Sequence, residues 1–327
     1  MHTRRQMTAW FECGKRGGPA ADRQELASMA DLWDSVSLFG EVTAEFVSEC
    51  RGQGIENYAT IFGGEGSFDT AEHRDATVAQ CLKLCDELNV DGVDLDFENA
   101  SPSSRDGYSD LLRRLRSEMN ARGRKISICI GYSPALDRYP RGSFFDPAVV
   151  GATCDQIRVM CYDIHDGSLA GKPENDTETS LVGFGPVVSW PWVRAAMSFW
   201  LRYAPADHIV MALPTWGMDY DLTKGSVSKS PVAPAQQTVR RYWLWYLGMH
   251  ACTYNDDNGN LHLRYETDVR STLGHLATAD EMGIPTIAFW GALNGEMLNM
   301  LRDWKCGKPV LPSLVEYSGG TQPTVEI

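Results

Sequence analysis

The sequence predicts a TIM-type (β/α)8 barrel, and three observations carry that prediction. Short apolar runs alternate with longer amphipathic runs, the pattern of parallel strands joined by crossover helices. Eight such apolar runs can be counted, near residues 8–11, 35–39, 58–62, 92–97, 126–130, 156–162, 209–213 and 286–290. The 327 residues suit one barrel of about 250 residues with an insertion.

The elements follow in order. Barrel strands are covered on both faces and read as nearly continuous apolar runs, as Ile126-Ser-Ile-Cys-Ile130 and Ile209-Val-Met-Ala-Leu213 do. Asp69-Thr-Ala-Glu72 has the form of a capping box and opens a helix to Leu88. A second helix spans roughly 105–122, with Gly123 placed to end it. Pro191 lies in the first turn of a helix reaching about Tyr203, and another helix occupies 271–282. The connection between Leu213 and Ser271 is too long to lack structure of its own. Val239 to Tyr246 reads as a short helix there, and 253–265 as a hairpin turning at Asn258-Gly259. The chain is thus expected to be one catalytic domain over 1–310, with an insertion at about 218–268 and a tail at 311–327.

Composition narrows the function. Acidic residues outnumber basic ones 43 to 30, a formal charge of -13. That opposes nucleic acid and anionic membranes as partners and leaves a neutral glycan compatible. No run approaches the ~20 apolar residues of a membrane span. No signal peptide is legible, so the expected location is cytoplasmic, or outside the cell if a leader was removed. The nine cysteines are odd in number and lack metal-ligand spacing, so free thiols are expected and neither a metal nor a cofactor. Oligomeric state is not legible.

The chemistry concentrates in Asp91-Gly-Val-Asp-Leu-Asp-Phe-Glu98. Strand side chains alternate, so Asp94, Asp96 and Glu98 share one face and Val93, Leu95 and Phe97 the other. Three carboxyls so close cannot all ionise, and a proton must be shared among them. Sequences tolerate such a conflict mainly at functional sites. At the C-terminal end of a barrel strand, Glu98 would face the active-site mouth. Its carboxylate neighbours would raise its pKa, as a general acid requires.

This segment resembles the Asp-Gly-x-Asp-x-Asp-x-Glu motif of the family 18 glycoside hydrolases, the chitinase family. Gln156-Ile-Arg-Val-Met-Cys-Tyr-Asp163 is similar to that family's sixth-strand pattern, Gln-x-Met-x-Tyr-Asp. Ile61-Phe-Gly-Gly64, Leu213-Pro-Thr-Trp-Gly217 and Ala288-Phe-Trp290 resemble its third, seventh and eighth strand ends. The matches occur in order, from about Trp10 to Trp290. The resemblance implies substrate-assisted retaining hydrolysis of a β-linked N-acetylglucosamine bond, an exception to the two-carboxylate scheme. Glu98 would protonate the glycosidic oxygen, Asp96 would hold the acetamide N–H, and Asp94 would share a proton with Asp96. Tyr162 would orient the acetamide oxygen. Asp163 and Met160 would shape the subsite, with Trp290 as its floor and Trp216 as a wall. Trp10, Tyr132, Asp219 and Glu266 fall where strand ends and insertion would face the cleft.

The chain departs from the chitinases in carrying Phe97-Glu98 for Trp-Glu and Trp216 for Tyr. Its flavour is nearer the spore-cortex N-acetylglucosaminidases and chitobiases, although Asp94 is often Asn in that branch. No chitin-binding or LysM-like module is seen. Chitooligosaccharides, peptidoglycan and the N-glycan core are the implied substrates. A catalytically weak or inactive chitinase-like glycan-binding protein is the alternative, and a barrel enzyme holding a divalent cation on the three acids is a third reading.

Overall fold

The structure is a computed structural model describing residues 4–308, apart from 16, 99, 132–142, 166–183, 231–239, 292 and 294. In chain order the strands are β1 (Gln6–Cys13), β2 (Ser35–Gly40), β3 (Glu56–Gly63), β4 (Gly92–Phe97), β5 (Lys125–Gly131), β6 (Gln156–Met160) and β7 (Ile209–Pro214). After them come β8 (Gly217–Asp221), β9 (Ser226–Ser230), β10 (Arg240–Leu244), β11 (Met249–Asn255), β12 (Leu261–Glu266) and β13 (Thr286–Trp290). The helices are α1 (Pro19–Met29), α2 (Ala44–Gly52), α3 (Ala71–Leu88), α4 (Arg105–Ala121), α5 (Pro147–Thr153), α6 (Trp190–Trp200), α7 (Val269–Met282) and α8 (Gly295–Lys305). Strands β1 to β7 and β13 close a parallel barrel, with β13 lying between β1 and β7. All eight expected barrel strands are present.

Closure follows from the two-sided burial of these strands. In β4 the odd residues Val93, Leu95 and Phe97 are buried in the core shared with the surrounding helices. Phe97 stacks on Phe68 with ring centres 6.0 Å apart and meets Tyr108 of α4 at 5.9 Å. The even residues then have only the barrel interior to enter. There they meet unusually polar company, Thr8 of β1, Ser37 of β2 and Ser127 of β5 being buried. Gly63 allows β3 to lie close to β4: a Cβ there would sit 2.7 Å from the Phe97 ring.

The structure corrects two local expectations. The α3 cap is Thr70, whose hydroxyl accepts from the His73 N–H, so the helix starts one residue later than a box on Asp69 would place it. Asp69 instead accepts from the Thr70 N–H and pairs with His73. The stretch expected as a short helix near 239–246 contains strand β10, antiparallel to β11. Trp243 packs edge-on to Trp190 and His250, at 5.7 and 4.8 Å. Cross-strand aromatic packing of this kind outweighs weak helical propensity. The insertion is therefore a five-stranded antiparallel sheet in the order β10-β11-β12-β8-β9, rooted directly on the C-terminal end of β7. The hairpin expected at Asn258-Gly259 is present between β11 and β12, with Gly259 at φ +80°.

Cysteines 13, 50, 81, 85, 129, 154, 161 and 252 are free and buried, and Cys306 is free and exposed. Among the described residues no helix is long and apolar enough to cross a membrane.

Gly92 marks the closest backbone approach at the base of the acidic strand, where a Cβ would lie 2.4 Å from the Lys125 carbonyl oxygen. Gly92→Ala is therefore expected to lose about 1–3 kcal/mol of stability, as overpacked sites do. Thermal denaturation checks this, and an unchanged melting temperature would show that β4 and β5 can separate freely.

Candidate active site

The site is built at the C-terminal ends of the barrel strands. Its three acids climb from floor to mouth along β4. Asp94 is fully buried, Asp96 is half-buried, and Glu98 is exposed just beyond the strand end. The Glu98 N–H donates to the Gly63 carbonyl, which fixes the chain as it leaves the sheet.

Asp94 Oδ2 accepts from the indole N–H of Trp10 at 2.9 Å and from the Cys129 thiol at 3.6 Å. Its Oδ1 lies 3.6 Å from Nε of Arg158, and both side chains are wholly inaccessible. Asp96 is the carboxyl with a raised pKa, pushed up to about 7. Burial is the main cause, followed by the charges of Asp94 and Glu98, and a hydrogen bond with Glu98 acts in the same direction. Asp96 sits deeper than Glu98 and between two other acids, so burial and like charge act on it together.

Tyr162 follows the end of β6, and burial holds its phenol well above the ordinary range, reinforced by Cys129, Asp96, Asp163 and Glu98. It is therefore a hydrogen-bond donor throughout the neutral range. Its ring meets Trp216 at 5.3 Å. Small residues Val210, Ala212 and Ala288 on β7 and β13 leave room inside the barrel for Trp10 and Tyr162. Met160, the last residue of β6, lies opposite Gly131 and Ala212. Trp290 ends β13, is 38% exposed, and meets Trp10 edge-on at 5.9 Å. A cavity of about 360 Å³ adjoins these rings, with Trp10, Phe39, Trp216 and Trp290 in its wall.

Asp163 adopts a left-handed backbone conformation, φ +56°, uncommon for a residue with a side chain. Its carboxylate accepts from Lys229 of β9 at 2.6 Å, and the same ammonium lies 5.2 Å from the Trp216 ring centre. The insertion sheet thus supplies a cation to the site. Trp10, Asp94, Asp96, Glu98, Met160, Tyr162, Asp163, Trp216 and Trp290 are brought to one end of the barrel. Tyr132 lies outside the described residues. Asp219 is buried in the insertion, accepting from the Tyr254 hydroxyl and pairing with His262 at 2.8 Å. Glu266 is likewise buried in the insertion, on β12.

Sequence reasoning missed Arg158, Lys229, Phe39 and Phe62. Arg158 had a legible signal, a lone arginine inside an apolar strand run. Phe39 lies 5.9 Å from Trp290 and 5.5 Å from the exposed ring of Phe62, continuing the aromatic rim toward β3. Lys229 carried no signal in a Ser/Lys stretch. Metal-ligating groups also gather away from the acids, at His250, Glu266 and Asp268. There His250 Nδ1 is bonded to Asp268 at 2.5 Å, while Asp268 caps α7.

The sequence profile of the glycosyl hydrolases family 18 matches residues 55–285. The chain belongs to that family. It is 27% identical over 150 residues to the uncharacterized glycosylase YvbX of Bacillus subtilis, covering 46% of this chain and 40% of that protein. It is 25% identical over 235 residues to the cortical fragment-lytic enzyme of Bacillus anthracis, covering 66% of this chain and 51% of that protein. The chain thus spans about half the length or less of these curated relatives. A chitinase from Chromobacterium violaceum superposes with a TM-score of 0.75 at 16% identity, covering 93% of this chain and 99% of the other. At that identity the likeness is one of fold.

The raised pKa of Asp96 has a consequence for stability. A carboxyl that binds its proton more tightly folded than unfolded costs stability as pH rises between its two pKa values, here from 3.8 to about 7. Asp96→Asn removes that cost. Its stability advantage over wild type is expected to widen between pH 5 and pH 8 by roughly 2–4 kcal/mol. Denaturant melts at both pH values check this, and a constant gap would mean that Asp96 ionises as an ordinary carboxyl.

Proposed function

We propose that this chain is a retaining glycoside hydrolase that cleaves β-1,4-linked N-acetylglucosamine by substrate-assisted catalysis. The observation that carries the reading is the graded acid ladder of β4, with a protonatable Asp96 between a buried Asp94 and an exposed Glu98. Substrate-assisted cleavage needs one acid at the open mouth to protonate the leaving oxygen and a second beside it to hold the acetamide N–H, and Glu98 and Asp96 occupy those two places.

Glu98, facing solvent at the mouth, gives its proton to the glycosidic oxygen as the bond to the anomeric carbon breaks. The carbonyl oxygen of the sugar's own acetamide attacks that carbon and forms an oxazolinium ion. Asp96 accepts from the acetamide N–H and balances the positive charge. The Tyr162 hydroxyl donates to the acetamide oxygen and aims it. Water then opens the ring from the face that the leaving group vacated, and Glu98 takes its proton back. Two displacements at one carbon retain the β configuration. Trp290 supplies a flat apolar floor for the sugar ring, with Trp10 beside it and Trp216 as a wall. Met160 and Asp163 complete the subsite.

The substrate is a glycan containing N-acetylglucosamine, in the form of a chitooligosaccharide, peptidoglycan or an N-glycan core. Family membership and the names of the relatives support this class. An aryl β-chitobioside is the first substrate to try, with EDTA present. Wild type is expected to turn it over with retained configuration by proton NMR, and Glu98→Gln to lower kcat by about 10²–10⁴-fold. Binding of chitooligosaccharides without turnover by wild type would replace this reading with that of a glycan-binding protein.

A further inference from the structure

Arg158 is an oddity of this barrel. Its guanidinium is wholly buried in the barrel interior beneath the acid ladder. Nε donates to Ser127 Oγ at 3.0 Å, and Nη2 to Thr8 Oγ1 and Gln156 Oε1, each at 3.1 Å. The rings of Trp10 and Tyr58 lie 5.2 and 5.7 Å away. These partners are neutral and hold the group in place without balancing its charge. Nη1 has no hydrogen-bond partner among the described residues, and neither has Oδ1 of Asp94 or of Asp96. Among the described residues the acid within 4 Å of Arg158 is Asp94.

We propose that Arg158 is a positioning residue that holds Asp94 as the charged member of the Asp94–Asp96 pair and so keeps the shared proton on Asp96. The inference rests on the hydrolase reading for its consequence but on geometry for its content. Two carboxyls that share a proton titrate as a unit, and which one carries it depends on what else faces each. Trp10 from β1, Cys129 from β5 and Arg158 from β6 face Asp94. Glu98, the same Cys129 thiol and, through the field, Tyr162 face Asp96, so the thiol does not distinguish the two acids. Below the pair, Tyr58 of β3 is bonded to Glu56, which is tied to Lys125, and Asp155 is tied to Arg116. Among the described residues Arg158 is thus the cation within 4 Å of the pair, and it lies on the Asp94 side. A buried cation without an anion would be strongly unfavourable, so the two charges require each other. With Asp94 charged, Asp96 is neutral in the resting site. When the acetamide N–H and the developing positive charge arrive, Asp96 ionises by passing its proton to Glu98, to which it is hydrogen-bonded, leaving Asp96 as the acceptor and Glu98 as the proton donor.

Two experiments test this. Carbon-13 NMR of aspartate carboxyls, assigned with D94N and D96N, reads the proton directly in wild type from pH 4 to 9. Asp94 is expected to keep the chemical shift of a carboxylate while Asp96 titrates near neutrality; the reverse assignment overturns the proposal. This readout needs no turnover, so an inactive wild type would count against the hydrolase reading alone. The second experiment is the pH profile of kcat/KM on the aryl β-chitobioside. R158M is expected to move the acid limb up by about one to three pH units, because losing a nearby cation raises carboxyl pKa values. R158K, which keeps the charge, is expected to restore it. A folded R158M with an unmoved limb and an unmoved Asp94 signal would show that Arg158 only fills space. If R158M does not fold, the wild-type NMR assignment still decides.

Discussion

The structure depends on one constraint, the alternation of β4 inside a closed barrel. Val93, Leu95 and Phe97 are committed to the core shared with the outer helices. Asp94 and Asp96 must then point inward, because successive side chains cannot choose the same face. A charge carried so deep needs a partner, and Arg158 is placed across the interior to provide one. Much of the interior follows from that pair. Thr8, Ser127 and Gln156 are polar because the guanidinium needs acceptors. Trp10 presents its N–H inward because Asp94 needs a donor. An apolar interior, the usual filling of a barrel, would leave the donors of Arg158 and the acceptors of Asp94 without hydrogen bonds.

The same strand converts depth into chemical difference. Three acids at successive inward positions experience three environments: one sealed and paired with a cation, one half-buried among other acids, one open to solvent. Like charges at this spacing would weaken a site whose acids were all at one depth, since none would hold a proton preferentially. Here the ladder separates them. The middle acid is protonatable near neutrality, the outer one faces solvent, and the inner one is sealed against Arg158. A division of labour among identical functional groups thus comes from geometry alone.

What was legible in the sequence was local. Period-two alternation told which residues of 93–98 share a face, and strand-length apolar runs located the barrel strands. Both signals are carried by neighbours in the chain. The Asp94–Arg158 contact joins residues far apart in sequence, and no periodicity encodes it. Only the oddity of an arginine in Gln156-Ile-Arg-Val-Met160 hinted at an interior partner. The burial gradient was equally hidden, and with it the depth that raises the pKa of Asp96. In the insertion, Tyr-Trp-Leu-Trp-Tyr read as a helix because tertiary pairing with β11 cannot be seen from composition. Lys229 was invisible for the same reason, since its importance arises only once β9 is folded against the barrel mouth.

The insertion is more than a cover. Trp216 is where it meets the chemistry: Tyr162 packs on its ring at 5.3 Å, Lys229 lies over it, and the Thr267 hydroxyl donates to its carbonyl at 2.8 Å. Trp216 belongs to the segment joining β7 to β8, so a change in the sheet moves a wall of the site directly. Lys229 adds a second tie through Asp163, whose left-handed backbone places its carboxylate within reach. An exposed ion pair by itself contributes little to stability. Its effect here is geometric, because it joins the insertion to the end of β6 one residue after Tyr162. The acids are therefore fixed by the barrel from below, while the wall beside them is fixed by the insertion from above. Changes in the insertion can then reshape the wall of the site without disturbing the buried pair beneath it.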